Sequence, residues 1–286
     1  MADTQSQSQR AFLHALAKKR TDAESTDFTI VCDGKELKIH KVILSLHSNY
    51  FDRLFKSDYK EATQNSINLI DDPHPAVSCM IQYFYHFSYK PEPGTYLEPP
   101  PSIGSSTQAD NASGLPLPSL VQVHAWIYTL AEKYDIPGLK PLAQANFTDT
   151  AHNMLRWKSF DSPQPAQMQA FYDVIPYIYS NTAPNEMGLR QSIVEVWAGA
   201  RRFVHQSVDK KKWQELVERF PELGADMIAG LVDDINMGCE DYDAVDYCGK
   251  VGDDDDGNAD FTSYGGWGRE EQEDDRDDGR VVDLLR

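Results

Sequence analysis

The chain is short of cysteine, of basic residues and of long apolar runs, and each shortage excludes something. Its four cysteines, Cys32, Cys79, Cys239 and Cys248, are far apart and form no CxxC pair. A zinc ribbon or finger needs ligand pairs at close spacing, so none is expected. Cys32 and Cys79 fall in apolar-periodic segments and read as buried thiols of a reducing compartment, the other two as tail thiols. No stretch reaches the roughly 18 apolar residues that a membrane-spanning helix needs. The polar start, MADTQSQSQR, is not followed by the apolar core of a signal peptide. The expectation is a soluble protein of the cytoplasm, the nucleus or both.

Lys and Arg number 27 against 45 Asp and Glu, for a net charge of −18. Residues 240–286 hold 17 acidic and 5 basic residues, a net of −12, which leaves −6 for residues 1–239. An acidic body lacks the basic face that nucleic acid or an anionic membrane requires, so neither is expected as a partner. Catalytic signatures are missing too. GxSxG, HExxH, a Walker glycine loop and GxGxxG after a strand do not occur, and the eight histidines are scattered. No enzymatic activity, metal or cofactor is expected.

What the chain does have is concentrated in residues 26–56. Phe28 to Cys32 is apolar and β-branched, Asp33-Gly34 follows, and Lys35 to Ile39 alternates Leu37 and Ile39 with charge. Asp-Gly between two such runs predicts a hairpin, because a type I′ turn needs positive φ at both central residues. Helical spacing takes over after His40, first with Val42, Ile43 and Leu46, then with Tyr50, Phe51, Leu54 and Phe55. Within this stretch His40, Val42 and Leu44 are read as residues that hold the fold together.

A helix is expected over residues 10–19, with Ala11, Phe12, Ala15 and Leu16 on one face, after a disordered Gln/Ser-rich start at 1–9. SINLI at 66–70 reads as a short strand. Asp72-Pro73 starts a helix, with Asp72 as its cap and Val77, Met80, Ile81 and Phe84 as its core stripe. Residues 89–118 carry seven prolines and few large apolar residues, the composition of an insert loop. No two of these prolines are three apart, so SH3 recognition is not indicated. Helix returns at Leu120, breaks at Pro137-Gly138 and resumes at Leu139. A block of helices follows over 167–232, closed by Met227, Ile228, Leu231 and Val232. From 238 to 286 the chain is acidic and reads as disordered, ending in an apolar patch at Val281 to Leu285 that could itself be a docking ligand. DDDDGNAD at 253–260 is no EF-hand loop. With Gly257 at the sixth position, the first and twelfth would be Gly252 and Ser263, where carboxylates are needed.

Several of these segments share a resemblance. The hairpin followed by HKVIL at 40–44 and SNYF at 48–51, with Asp27 before the first strand, resembles the core of a BTB/POZ domain. The KYDIPGL connection at 133–139 matches the same family. Its position after an insert of about thirty residues is similar to filamentous-fungal members. Residues 171–232 resemble the helical tail of such proteins. The resemblance implies an α+β BTB/POZ fold at 10–147, a small sheet flanked by helices, then an all-α block at 167–232 and the acidic tail at 238–286. Its implied work is protein–protein interaction.

The resemblance also implies sites. The family self-associates through an N-terminal helix, here Phe12, Leu13 and Leu16, which makes a homodimer an expected partner. The counterparts of Asp27 and Lys41 lie close to the dimer groove, although a plain salt bridge flanking a helix fits these two residues as well. Cullin-binding members carry a hydrophobic-x-Glu triplet after the Ser-x-Tyr-Phe helix, here Tyr59-Lys60-Glu61. That implies a substrate adaptor of a cullin-based ubiquitin ligase. A solvated loop is the plain alternative for these residues, and an oligomerising scaffold in transcription or signalling, without direct DNA binding, is the alternative for the chain. His40 and His124 are read as hydrogen-bonded, packed histidines rather than catalytic or metal-binding ones.

Overall fold

The computed structural model describes residues 2–20, 22, 24–97, 117–155, 165–204 and 209–240. The hairpin forms as its sequence dictates. Strands β1 (Phe28–Cys32) and β2 (Lys35–Ile39) pair antiparallel, with Phe28 opposite Ile39 and Cys32 opposite Lys35. Asp33 and Gly34 between them both take positive φ, 49° and 71°. β3 (Ser66–Asn68) joins the other edge of β1 in parallel, giving the order β2-β1-β3. This strand is shorter than SINLI, and Leu69 continues only as far as an amide bond to the Val31 carbonyl.

Helix α1 (Ala2–Lys19) precedes the sheet. Residues 2–9, expected to be disordered, are its first turns; no Gly or Pro interrupts this stretch. α2 (Lys41–His47) and α3 (Asn49–Phe55) follow the hairpin, then α4 (Lys60–Gln64). The SNYF motif fixes the second of these turns. Ser48 Oγ accepts the Phe51 amide at 3.1 Å, capping α3, and donates to the Tyr134 carbonyl at 2.5 Å. Phe51, fully buried, stacks on the Tyr134 ring at 5.5 Å. Burial of one such ring contributes on the order of 2–3 kcal/mol.

α5 (His74–His86) is the central helix, and its expected stripe of Val77, Met80, Ile81 and Phe84 is buried. Its start differs from expectation. Pro73 occupies the cap position without a side-chain bond, and Asp72 turns inward instead. The Asp72 carboxylate accepts both contacts of the Lys133 ammonium at 2.9 Å and the Tyr134 hydroxyl at 2.5 Å. A buried carboxylate needs such partners more than a helix needs one more cap.

α6 (Leu120–Lys133) packs beside α5, and α7 (Leu139–Leu155) packs on α6, the two joined through the Pro137-Gly138 break. A Cβ at Gly138 would fall 2.2 Å from the Tyr83 hydroxyl, so a larger residue there would have to displace the end of that side chain. α8 (Pro165–Asn181), α9 (Met187–Val204), α10 (Lys210–Arg219) and α11 (Pro221–Glu240) complete the described chain. One continuous core runs from Phe28 through α6 and α7 to Met227. The helical block is therefore not a separate body. Polar ties reinforce the seam: Glu186 accepts the Tyr128 hydroxyl at 2.5 Å and the Lys140 ammonium at 2.8 Å. The Lys140 ammonium and the Tyr128 hydroxyl hold the Glu186 carboxyl below its ordinary range.

Of the Pro-rich stretch, residues 98–116 lie outside the described residues. Its ends meet: Leu97 and Ser119 form a parallel bridge, and the Leu97 amide donates to the Pro118 carbonyl at 2.8 Å. Residues 241–286, with the DDDDGNAD run and Val281 to Leu285, also lie outside, whereas 238–240, assigned to the tail, end α11. Within α11, Met227 is buried, but Ile228, Leu231 and Val232 are exposed rather than closing the core. α11 approaches α9 through Gly230, where a Cβ would strike Val194, and only one of its two apolar faces is covered. No helix among the described residues is long and apolar enough to cross a membrane.

Candidate functional site

Tyr59-Lys60-Glu61 sits between α3 and β3 on a segment built mostly of local bonds. At its start the Ser57 amide and hydroxyl both donate to the Leu54 carbonyl, and the Tyr59 amide reaches Ser57 Oγ at 3.4 Å. Tyr59 takes the extended cap conformation of α4, and the Thr63 hydroxyl bonds back to its carbonyl. At the far end Asn65 is left-handed, φ 53°, and its amide donates to the Glu61 carbonyl. α4 buries none of its residues. Tyr59 is 66% exposed and Glu61 half-buried. The segment thus offers solvent an aromatic ring with a carboxylate two residues on. That pairing suits an apolar pocket with a donor at its rim.

Asp27 and Lys41 are brought together, but not as a salt bridge. Asp27 Oδ1 accepts the Lys41 backbone amide at 2.7 Å, supporting the first turn of α2. The Lys41 ammonium points elsewhere, donating to Asn65 Oδ1 at 2.5 Å. It also lies 5.3 Å from the centre of the Phe55 ring and 5.8 Å from that of Phe28. Asn65 went unnoticed in the sequence. Its signal was there, since Asn just after a short helix favours the left-handed cap.

The three residues expected on a self-association face separate. Leu16 packs against the core, Leu13 is half-buried, and Phe12 is 66% exposed. On α2, Val42 and Leu46 are 61% and 76% exposed. Val42 is therefore a surface residue and not one that holds the fold; Ile43 and Leu44 do that work. The expected stripe of Val42, Ile43 and Leu46 is thus not the buried face of α2; Ile43 and Leu44 are the residues turned to the core.

His40 and His124 are each hydrogen-bonded to a tyrosine. His40 Nδ1 lies 2.6 Å from the Tyr85 hydroxyl and its Nε2 2.9 Å from Ser25 Oγ. The arrangement looks like a nucleophile and its base, but the proton inventory opposes that role. The single hydroxyl hydrogen of Ser25 goes to the Asp22 carbonyl, and the Tyr85 hydroxyl accepts the His40 backbone amide. Nε2 must then carry the hydrogen and donate to Ser25, which leaves no base for the hydroxyl. His124 is buried with Nδ1 2.9 Å from the Tyr89 hydroxyl, and burial pushes its pKa down to about 4. Burial likewise raises the Cys32 thiol to about 11 and the Cys79 thiol to about 12, so neither is a poised nucleophile. Among the described residues no three His, Cys, Asp or Glu side chains gather to hold a metal ion.

The family model of the BTB/POZ domain matches residues 16–97. A BTB/POZ domain-containing protein of Arabidopsis thaliana is 30% identical over 82 residues, covering 29% of this chain and 25% of that protein. Kelch repeat and BTB domain-containing protein 4 of Homo sapiens is 34% identical over 64 residues, covering 22% of this chain and 12% of that protein. The match thus spans a quarter or less of the length of these relatives. Among solved structures, the BTB domain of zebrafish PATZ1 superposes with a TM-score of 0.35 at 12% identity, over 50% of this chain and 94% of that one. The BTB domain of human gigaxonin gives 0.31 at 17% identity, over 46% and 85%. With the Asp-Gly hairpin, the paired helices α2 and α3 and the family match in one stretch of chain, residues 16–97 belong to the BTB/POZ family.

Proposed function

We propose that this protein is an adaptor that docks on a cullin through Tyr59 and Glu61. BTB/POZ domains are non-enzymatic protein–protein interaction modules, and this chain carries one. The observation that carries the finer reading is the exposed Tyr59 ring with Glu61 beside it, on a helix with no buried residue of its own. A side chain of that size left in water is the kind of anchor an interface uses. The Kelch/BTB relatives fit an adaptor role. Substrate binding would then fall to surfaces outside the hairpin domain, of which the uncovered face of α11 is one.

Pull-down of the full chain with a cullin N-terminal domain tests the reading. Tyr59→Ala and Glu61→Ala should each reduce recovery relative to wild type. Equal recovery of all three would remove the triplet from the interface. Self-association is a second reading, favoured by Val42 and Leu46, two exposed aliphatic side chains one turn apart on α2, and by exposed Phe12 on α1. A monomer mass by light scattering at micromolar concentration would sink it.

A further inference from the structure

Residues 56–64 include no buried residue, and the hydrogen bonds within them are local. They lie between Phe55, the last residue of α3, and Asn65, which caps α4, and α4 buries nothing. What fixes the segment must act at its ends. One side chain touches both. The Lys41 ammonium faces the Phe55 ring at one end and donates to Asn65 Oδ1 at the other. Lys41 is itself held, because its backbone amide donates to Asp27 Oδ1. The Phe55 ring is set by an edge contact with Phe28 at 4.9 Å. Asn65 is aimed by its left-handed backbone and by its carbonyl, which accepts the Thr29 amide at 3.0 Å.

We propose that Lys41 is a positioning residue for the Tyr59–Glu61 surface, stapling both ends of residues 56–64 to the start of α2. The inference rests on reading that surface as the docking site. Lys41 does not meet the partner in this arrangement; it restricts the conformations from which Tyr59 and Glu61 are presented. Asp27 acts one step further back, by fixing Lys41.

Hydrogen exchange on the full chain, read from milliseconds to seconds, tests this without a partner. Lys41→Met keeps the stem against the rings and removes the ammonium. Asn65→Gly keeps the left-handed backbone and removes Oδ1. Both should speed exchange at residues 57–64 by roughly three- to tenfold while α5 and α6 exchange as in wild type. Lys41→Arg, which still offers a cation to the rings and donors to Asn65, should keep the wild-type rate. Unchanged exchange at 57–64 in Lys41→Met would overturn the proposal. So would acceleration spread equally over α5 and α6, since that reports general loss of stability. Cullin binding is measured separately. If wild type fails to bind while exchange responds as stated, the cullin reading falls and the staple stands.

Discussion

Acid should destabilise this protein through His124 well before its carboxylates titrate. The residue is 5% exposed, its Nδ1 lies 2.9 Å from the Tyr89 hydroxyl, and burial lowers its pKa from the ordinary 6.5 to about 4. A base whose folded pKa lies below its unfolded one binds its proton more readily in the unfolded chain. Its contribution to stability is complete above the unfolded pKa and is lost as pH falls through the window between the two values. For these values the loss between pH 7 and pH 5 is about 2 kcal/mol, out of a total of about 5–15 for a typical domain. His47 and His74 are also shifted down by burial and act with the same sign. A comparison that isolates His124 is therefore needed. His124→Asn keeps an acceptor for Tyr89 and cannot be protonated. Urea unfolding followed by tryptophan fluorescence at the two pH values should show wild type losing about 2 kcal/mol more than the variant. Equal losses in the two proteins would refute the reasoning, whatever the variant's stability at neutral pH.

Ser48→Ala removes both the α3 cap and the bond to the Tyr134 carbonyl at a site only 1% exposed. It should cost about 1–2 kcal/mol, seen as a lower urea midpoint at an unchanged m-value. Gly188→Ala would place a methyl group against the Tyr128 hydroxyl, which is tied to Glu186. The expected loss is about 1–3 kcal/mol, and Tyr128→Phe in the same chain should recover part of it by removing the oxygen that is struck.

Legibility in the sequence followed the range of the forces involved. The hairpin was readable because Asp33-Gly34 imposes positive φ locally, and α5 was readable because its apolar period is long. Val42 was misplaced because α2 has only seven residues, and its buried side is chosen by α5, more than thirty positions away. Asp72 looked like a helix cap until Lys133 and Tyr134, some sixty residues on, supplied stronger partners. For Ile228, Leu231 and Val232, periodicity showed an apolar helix but could not show that α9 covers one face only. Tyr59 to Glu61 were legible as a motif. The tie from Lys41 to Asn65 was not, because nothing local joins residues 24 positions apart.

The core that passes through α6 and α7 has a consequence for ancestry. The family match ends at residue 97, yet Ile127, Leu130 and Tyr134 beyond it belong to the same core as the central helix, while Tyr128 of α6 and Lys140 of α7 bond to Glu186. A helix pair that serves two neighbours restrains the sequence drift of both. Replacement of the C-terminal helices by another module would leave one side of α6 and α7 in water unless the newcomer arrived with a matching apolar face.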